Sequence, residues 1–179
     1  MNMIYRYLSI MVAGAAILVG IQIPNFIDQY EKRLDAHMIE VTANLRGFQA
    51  IADKYHQGSF EALLREHENS ASPTFQGEAK PLRTMYERYK TFFAEQLAMK
   101  TSLPGKAVHL LLKGNRELVD ETHTNYSFNV PLSSDAVFSG ILFAVLAMGL
   151  LEAIVHLSGA LFRLAVRSVR RKPYATARR

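Results

Sequence analysis

The sequence contains no cysteine. This absence excludes a disulfide framework, a thiolate metal site and a cysteine nucleophile. The chain also lacks the short motifs of several catalytic centres: it has no glycine-rich phosphate loop, no GxSxG around a serine and no HExxH metal site, although it contains six histidines. We therefore expect a protein that binds no cofactor and is not an enzyme.

Charge is missing from a long stretch near the end of the chain. Residues 136–151, AVFSGILFAVLAMGLL, include no ionisable side chain, and the apolar character continues beyond Glu152. A helix from Ala136 to Phe162 would be about 40 Å long, which exceeds the hydrocarbon core of a bilayer, about 30 Å. The pattern predicts a transmembrane helix over 133–160. Its N-terminal cap is expected at Ser133, Ser134 or Asp135.

A second uncharged run lies near the start of the chain, from Leu8 to Ile21. Extended to residues 4–23, it reaches the roughly 20 residues that a helical span needs. A signal peptide is the alternative, but no pair of small residues suited to cleavage follows the run. We expect an uncleaved transmembrane helix over 4–23 that ends at Pro24.

The excess positive charge lies beside the second span. Residues 24–130 hold 13 basic and 14 acidic residues, whereas residues 163–179 hold seven basic residues and no acidic one. This distribution argues against nucleic-acid binding and, by the positive-inside rule, predicts that both termini are cytoplasmic. The tail, residues 161–179, is expected to bind anionic lipid headgroups. The basic residues of this surface are Arg163, Arg167, Arg170, Arg171 and Lys172.

The region between the spans, residues 24–132, has the periodicity of helices. Apolar residues recur at steps of three or four from Ile27 to Tyr55 and predict one long helix. Such a stripe needs a covering partner, either later helices of this chain, which we favour, or another copy. The stripe consists of Ile27, Tyr30, Leu34, Met38, Val41, Leu45, Phe48, Ala52 and Tyr55.

Shorter helices follow. Gly58 and Ser59 are typical of a helix stop and a new N-cap, and Pro81 is typical of a first helical residue. No strand of convincing length is present, so we expect an all-helical outer domain. The predicted helices are 60–68, 81–100, 106–113 and 116–125, with a loop from Asn69 to the proline at position 81 and an extended segment over 126–132.

Three segments carry a resemblance to a known family: the opening MIYRYL, the junction VGIQIPNFIDQYEKRLDAH and the junction NYSFNVPLSSDAVFSGIL. They resemble a family of bacterial inner-membrane proteins known only as a domain of unknown function. The resemblance implies two antiparallel transmembrane helices flanking a helical periplasmic domain. It supplies no catalytic residue.

Ionisable residues within the spans are the sharpest candidates for a site. Glu152 and His156 are four residues apart and share a helix face, and such groups are costly inside a membrane. In antiparallel helices Arg6 reaches the same depth, so we predict an ion pair between Arg6 and Glu152, with His156 on the same side. Three readings stay open for Glu152 and His156: solvation at the interface, a structural ion pair, or proton transfer.

Small residues offer a packing face between the spans. Ser9, Ala13, Ala16 and Gly20 recur at steps of four, three and four, and they would allow a close approach of the second helix. The predicted partners on that helix are Gly140, Ala144 and Ala147.

In the outer domain, His67 stands between two glutamates, which favours a solvated helix face, and residues 109–112 are interpreted as a core helix with a polar edge. With no chemistry assigned, we expect an accessory subunit or scaffold whose outer domain contacts another protein or another copy. The alternative is a ligand sensor. It would need a separate cytoplasmic partner, because the tail after the second span is too short for an output domain.

Overall fold

The structure, a computed structural model, describes residues 3–170; of residues 162 and 164–170 it describes only the backbone. Over residues 3–170 the chain forms six α-helices and no β-strand, which confirms the predicted all-α fold. The helices are α1 (Met3–Tyr55), α2 (Phe60–Glu68), α3 (Pro73–Ala98), α4 (Leu103–Lys113), α5 (Arg116–Thr124) and α6 (Ser134–Arg170).

Two helices are long and apolar enough to cross a membrane. They are α1 and the Ser134–Leu161 part of α6. The chain divides into two compact units, one built from its two ends, up to Ile23 and from Asn129 onward, and the other from Pro24–Phe128. The unit of the two ends contains both apolar runs, and the 24–128 unit contains the four shorter helices with the second half of α1.

Within the unit of the two ends, α1 and α6 approach closely at two glycines. A Cβ atom added to Gly20 would lie 2.6 Å from the Ser139 carbonyl oxygen and 2.9 Å from the Cα of Gly140. A Cβ added to Gly140 would lie 3.1 Å from the side chain of Ile21. Only glycine therefore allows the two backbones to come this close, and small residues permit the same close approach between packed membrane helices.

Pro24 lies inside α1, so the predicted end of the first helix at this residue is wrong. A proline inside a helix removes one backbone hydrogen bond and costs about 3 kcal/mol. Helical sequence on both sides outweighs this loss, because each added residue contributes a further bond once a helix exists. Two side chains after the proline form hydrogen bonds with a later segment of the chain. Asn25 donates to the Ser127 carbonyl at 3.0 Å, and Gln29 donates to the same carbonyl at 2.9 Å.

The apolar stripe of α1 is covered by helices of the same chain, which confirms the partner favoured from the sequence. Tyr55 departs from the pattern, since 65% of its surface is exposed. Buried stripe residues are Ile27, Tyr30, Leu34, Val41, Leu45 and Ala52, and the other buried apolar side chains of this unit include Phe60, Leu63, Leu64, Leu82, Phe92 and Leu118.

The caps of α2 agree with the prediction. Gly58 adopts a φ of +83°, in the left-handed region that glycine tolerates best. The Ser59 hydroxyl accepts the backbone N–H of Ala62 at 3.2 Å and satisfies one of the unpaired donors at the helix start. The predicted bounds of this helix, 60–68, are confirmed. The first residue of α6 is likewise preceded by a cap, because the Ser133 hydroxyl accepts the Ala136 N–H at 3.3 Å.

The predicted loop before Pro81 is wrong over its second half. α3 begins eight residues earlier, at Pro73, and Pro81 lies inside it. Pro73 occupies the first helical position, where a missing N–H costs nothing. Pro81 frees the carbonyl of Gly77, and because Gly77 is exposed, water can satisfy that carbonyl.

The close approach of the glycines predicts a specific sensitivity to side-chain size. Gly20→Val should lower the melting temperature of the full chain in detergent, because overpacking of this kind costs about 1–3 kcal/mol. Gly14→Val is the matched control in the same helix, since an added Cβ there would meet nothing within 4 Å. Equal melting temperatures for the two variants would contradict the tight contact at Gly20.

Candidate functional site

A buried polar network joins α1, α3 and α4. The Tyr30 hydroxyl, which belongs to a fully buried residue, donates to Oε1 of Glu95 at 2.5 Å. The same oxygen accepts Nε2 of His109 at 2.9 Å. The Tyr30 oxygen also accepts the backbone N–H of Asn115, the N-cap of α5, at 3.1 Å. Four elements therefore meet at one carboxylate and one phenol.

The electrostatics of the network follow from its burial. The pKa of the Tyr30 phenol is raised well above its ordinary value, first because burial disfavours the phenolate. The hydrogen bond to Glu95 and the negative charge of that carboxylate raise it further, and the Asn115 N–H opposes them. Tyr30 is thus a neutral donor, Glu95 is the charged acceptor, and the network fixes the packing of the helices.

Two further histidines bind glutamates across helix boundaries. Nε2 of His37 lies 2.7 Å from Glu121 of α5, and Nε2 of His56 lies 2.7 Å from Glu66 of α2. The sequence analysis missed both pairs and the pair of His109 with Glu95. These histidine–glutamate pairs cannot be predicted from local spacing, because the partners of His37 and His109 are 84 and 14 residues away in the sequence.

His67 is buried, so its predicted place on a solvated helix face is wrong. Its Nδ1 donates to the Leu63 carbonyl at 3.0 Å, and its ring meets the ring of Phe75 edge to face with centroids 5.4 Å apart. The neighbouring glutamates misled the prediction, because adjacent residues of a helix point in different directions.

A cavity of about 710 Å³ lies beside His67, between the end of α1, α2 and the start of α3. Its size is typical of small-molecule sites. The wall is formed by Phe48, Ile51, Tyr55, His56, Leu63, Glu66, His67, Ser70, Phe75 and Glu78.

The residues of the predicted intramembrane ion pair lie in the two long apolar helices, Arg6 in α1 and Glu152 and His156 in α6. Arg6, Glu152 and His156 are all exposed, and none of the ion pairs found over residues 3–170 includes them. Their pairing within a membrane stays a prediction.

The predicted helix-packing residues fall on the less exposed faces of their helices. Gly20 and Gly140 are buried and are brought together, as described above. The remaining members of the set, Ser9, Ala13, Ala16, Ala144 and Ala147, are half-buried.

The basic surface is only partly described. Arg163 is exposed, and its Nε donates to the Gly159 carbonyl one turn earlier, at 3.1 Å. Arg167 and Arg170 belong to α6 by their backbone, and their side chains lie outside the described part of the chain. Arg171 and Lys172 lie outside the described residues.

The Tyr30 phenol predicts a loss of stability at alkaline pH. Its pKa is raised in the folded protein above that of the unfolded chain, about 10. The contribution to stability is therefore complete below about pH 10 and is lost as the pH rises above that value, where the unfolded chain releases the proton first.

Denaturant unfolding of the full chain in detergent between about pH 9 and 11 measures this slope. Tyr30→Phe should flatten it, and at neutral pH should cost about 1–3 kcal/mol because Glu95 and the Asn115 N–H lose a partner. Tyr55→Phe, at an exposed position of the same helix, should behave like the wild type. An unchanged slope in Tyr30→Phe would show that this phenol is not held neutral by folding.

Comparison with known proteins places these features in a family. No curated protein and no solved structure matches the chain. Over residues 4–164, however, it matches the family described as Protein of unknown function (DUF2937). The match includes both apolar runs and the whole 24–128 unit, and it confirms the resemblance to a domain of unknown function. The chain therefore belongs to the DUF2937 family.

Proposed function

We propose that this protein is a non-enzymatic membrane protein whose helical 24–128 unit binds another protein, as an accessory subunit or scaffold. One observation carries the proposal: α4 turns its apolar face outward. None of its residues is buried, although it contains three consecutive leucines. The expectation that 109–112 is a core helix is therefore wrong, although its expected polar edge is present at His109, which binds Glu95.

The polar side chains of α4 are the ones that face the unit. The Lys106 ammonium lies 2.6 Å from the Glu31 carboxylate of α1, and His109 binds Glu95 of α3. Because side chains three apart share a helix face, these two contacts hold one side of α4 against the unit. The opposite side carries Val108, Leu111 and Leu112, which are 55%, 84% and 75% exposed.

This outward face, Val108 with Leu111 and Leu112, has the chemistry of a protein-binding surface. Its spacing of three and four residues matches the pattern by which one helix lies along another. A contiguous apolar surface of this kind is costly in water and usually marks an interface. We infer a partner that presents an apolar helix face to these three side chains.

We further propose that α1 and α6 are two antiparallel transmembrane helices, with spans at 4–23 and 133–160. Only 11% of the most apolar stretch of α6 is buried within the protein, so lipid would naturally cover the rest of that stretch. The basic tail supports a cytoplasmic location for both termini and contact with anionic headgroups. The 24–128 unit would then face the periplasm from a bacterial inner membrane.

Binding through α4 is tested with the full chain purified in mild detergent from the cells that produce it. A stoichiometric partner should be captured with the wild type and reduced about tenfold with Leu111→Ser, since truncation of a central apolar contact costs at least this much. Ile39→Ser is the matched control, because Ile39 is also an exposed apolar residue, at 72%, on another helix.

Retention of the partner by Leu111→Ser, or its loss from both variants, would contradict binding through α4. A second copy of this chain as the captured protein would make the face an interface between identical subunits. Circular dichroism should show equal helix content for both variants, because neither residue is buried.

The proposed topology is tested by fusing a reporter enzyme that is active only outside the cytoplasm. A fusion after Ser72 should be active, and a fusion after Arg179 should be inactive, since the basic tail is retained on the cytoplasmic side. The reverse pattern would overturn the orientation.

A further inference from the structure

The cavity beside His67 has an apolar wall that reaches its opening. Phe75, Tyr55 and Ile51, three large apolar residues that line the cavity, are 50%, 65% and 43% exposed. Phe48 and Leu63 continue the wall toward the core. A ligand with an apolar or aromatic body would cover these side chains and remove their surface from water.

One hydrogen-bond acceptor lines this wall without a partner. His67 is 9% exposed, and its Nδ1 must carry a hydrogen because it bonds to a carbonyl, which can only accept. In the neutral ring Nε2 is then an acceptor. No hydrogen bond or ion pair of the described residues involves Nε2. The cavity thus offers a nearly buried acceptor to a ligand that donates.

The charges of the lining have one sign. Glu78 contributes a carboxylate that has no partner among the described residues, and Glu66 contributes a second one, which binds His56. The lining contains no lysine and no arginine. An anionic ligand would be repelled by these carboxylates, whereas a cation would find a carboxylate and the faces of aromatic rings.

We propose that this cavity binds a protonated primary amine attached to an apolar or aromatic group. The ammonium donates to Nε2 of His67 and forms an ion pair with Glu78, and the apolar group lies against Phe48, Ile51 and Phe75. At this edge the Lys54 ammonium lies 4.8 Å from the ring centroid of Tyr55, which is a cation–π distance. The inference does not depend on the protein-binding role of α4, which lies on other residues.

Calorimetric titration of the full chain in detergent micelles tests the proposal, with titrations into empty micelles subtracted. The probe is 2-phenylethylamine, compared with 2-phenylethanol, which is neutral, and phenylacetate, which is anionic and of similar size. The amine should bind at least about tenfold more tightly than the alcohol, since charge-assisted hydrogen bonds are the stronger ones. Phenylacetate should give no binding heat.

Variants locate the site. Glu78→Gln should weaken binding of the amine about tenfold and leave the alcohol unchanged. Asp120→Asn is the matched control: Asp120 is also an exposed carboxylate without a partner among the described residues, and it does not line the cavity. Absence of amine binding, equal binding of phenylacetate, or an unchanged affinity in Glu78→Gln would each overturn the proposal. Leu111→Ser should bind the amine normally.

Discussion

The buried hydroxyl of Tyr30 is the contact on which the packing of the 24–128 unit depends. It donates to Glu95 and accepts from the Asn115 N–H, so it ties α1 to α3 and to the start of α5, and through Glu95 to His109 of α4. A polar group removed from water is costly unless every partner is in place. The helices can therefore pack only in the register that completes the network, whereas an apolar stripe alone would allow several.

The same constraint explains why α4 directs its polar side toward the unit and its apolar side outward. The carboxylates of Glu95 and Glu31 bind His109 and Lys106, and both of these lie on the polar side of α4. Once that side faces the unit, the leucines have to face outward. The ion pairs that hold α4 against the unit therefore also expose its apolar surface. In this way the packing of the unit is linked to the proposed binding of a partner. This exposed apolar surface is the basis of the proposed binding of a partner.

The sequence allowed prediction of features that depend on local chemistry. The α2 caps at Gly58 and Ser59 and the stripe of α1 follow from positions a few residues apart, and the structure agrees with them. Proline positions misled the prediction, because Pro24 and Pro81 lie within helices long enough to absorb one lost hydrogen bond. The buried network and the His67 cavity depend on residues far apart in the chain. The orientation of α4 likewise could not be read from its own sequence, which is apolar enough for a core.

A double-mutant cycle between Tyr30 and Glu95 tests the central claim most directly. Tyr30→Phe, Glu95→Leu and the double variant would be unfolded with denaturant at neutral pH, and the coupling free energy taken from the four stabilities. If the network sets the packing, the coupling should be about 1–3 kcal/mol, as for contacting residues in one hydrogen-bond network. A coupling near zero would show that the two groups contribute independently and that apolar packing alone places the helices.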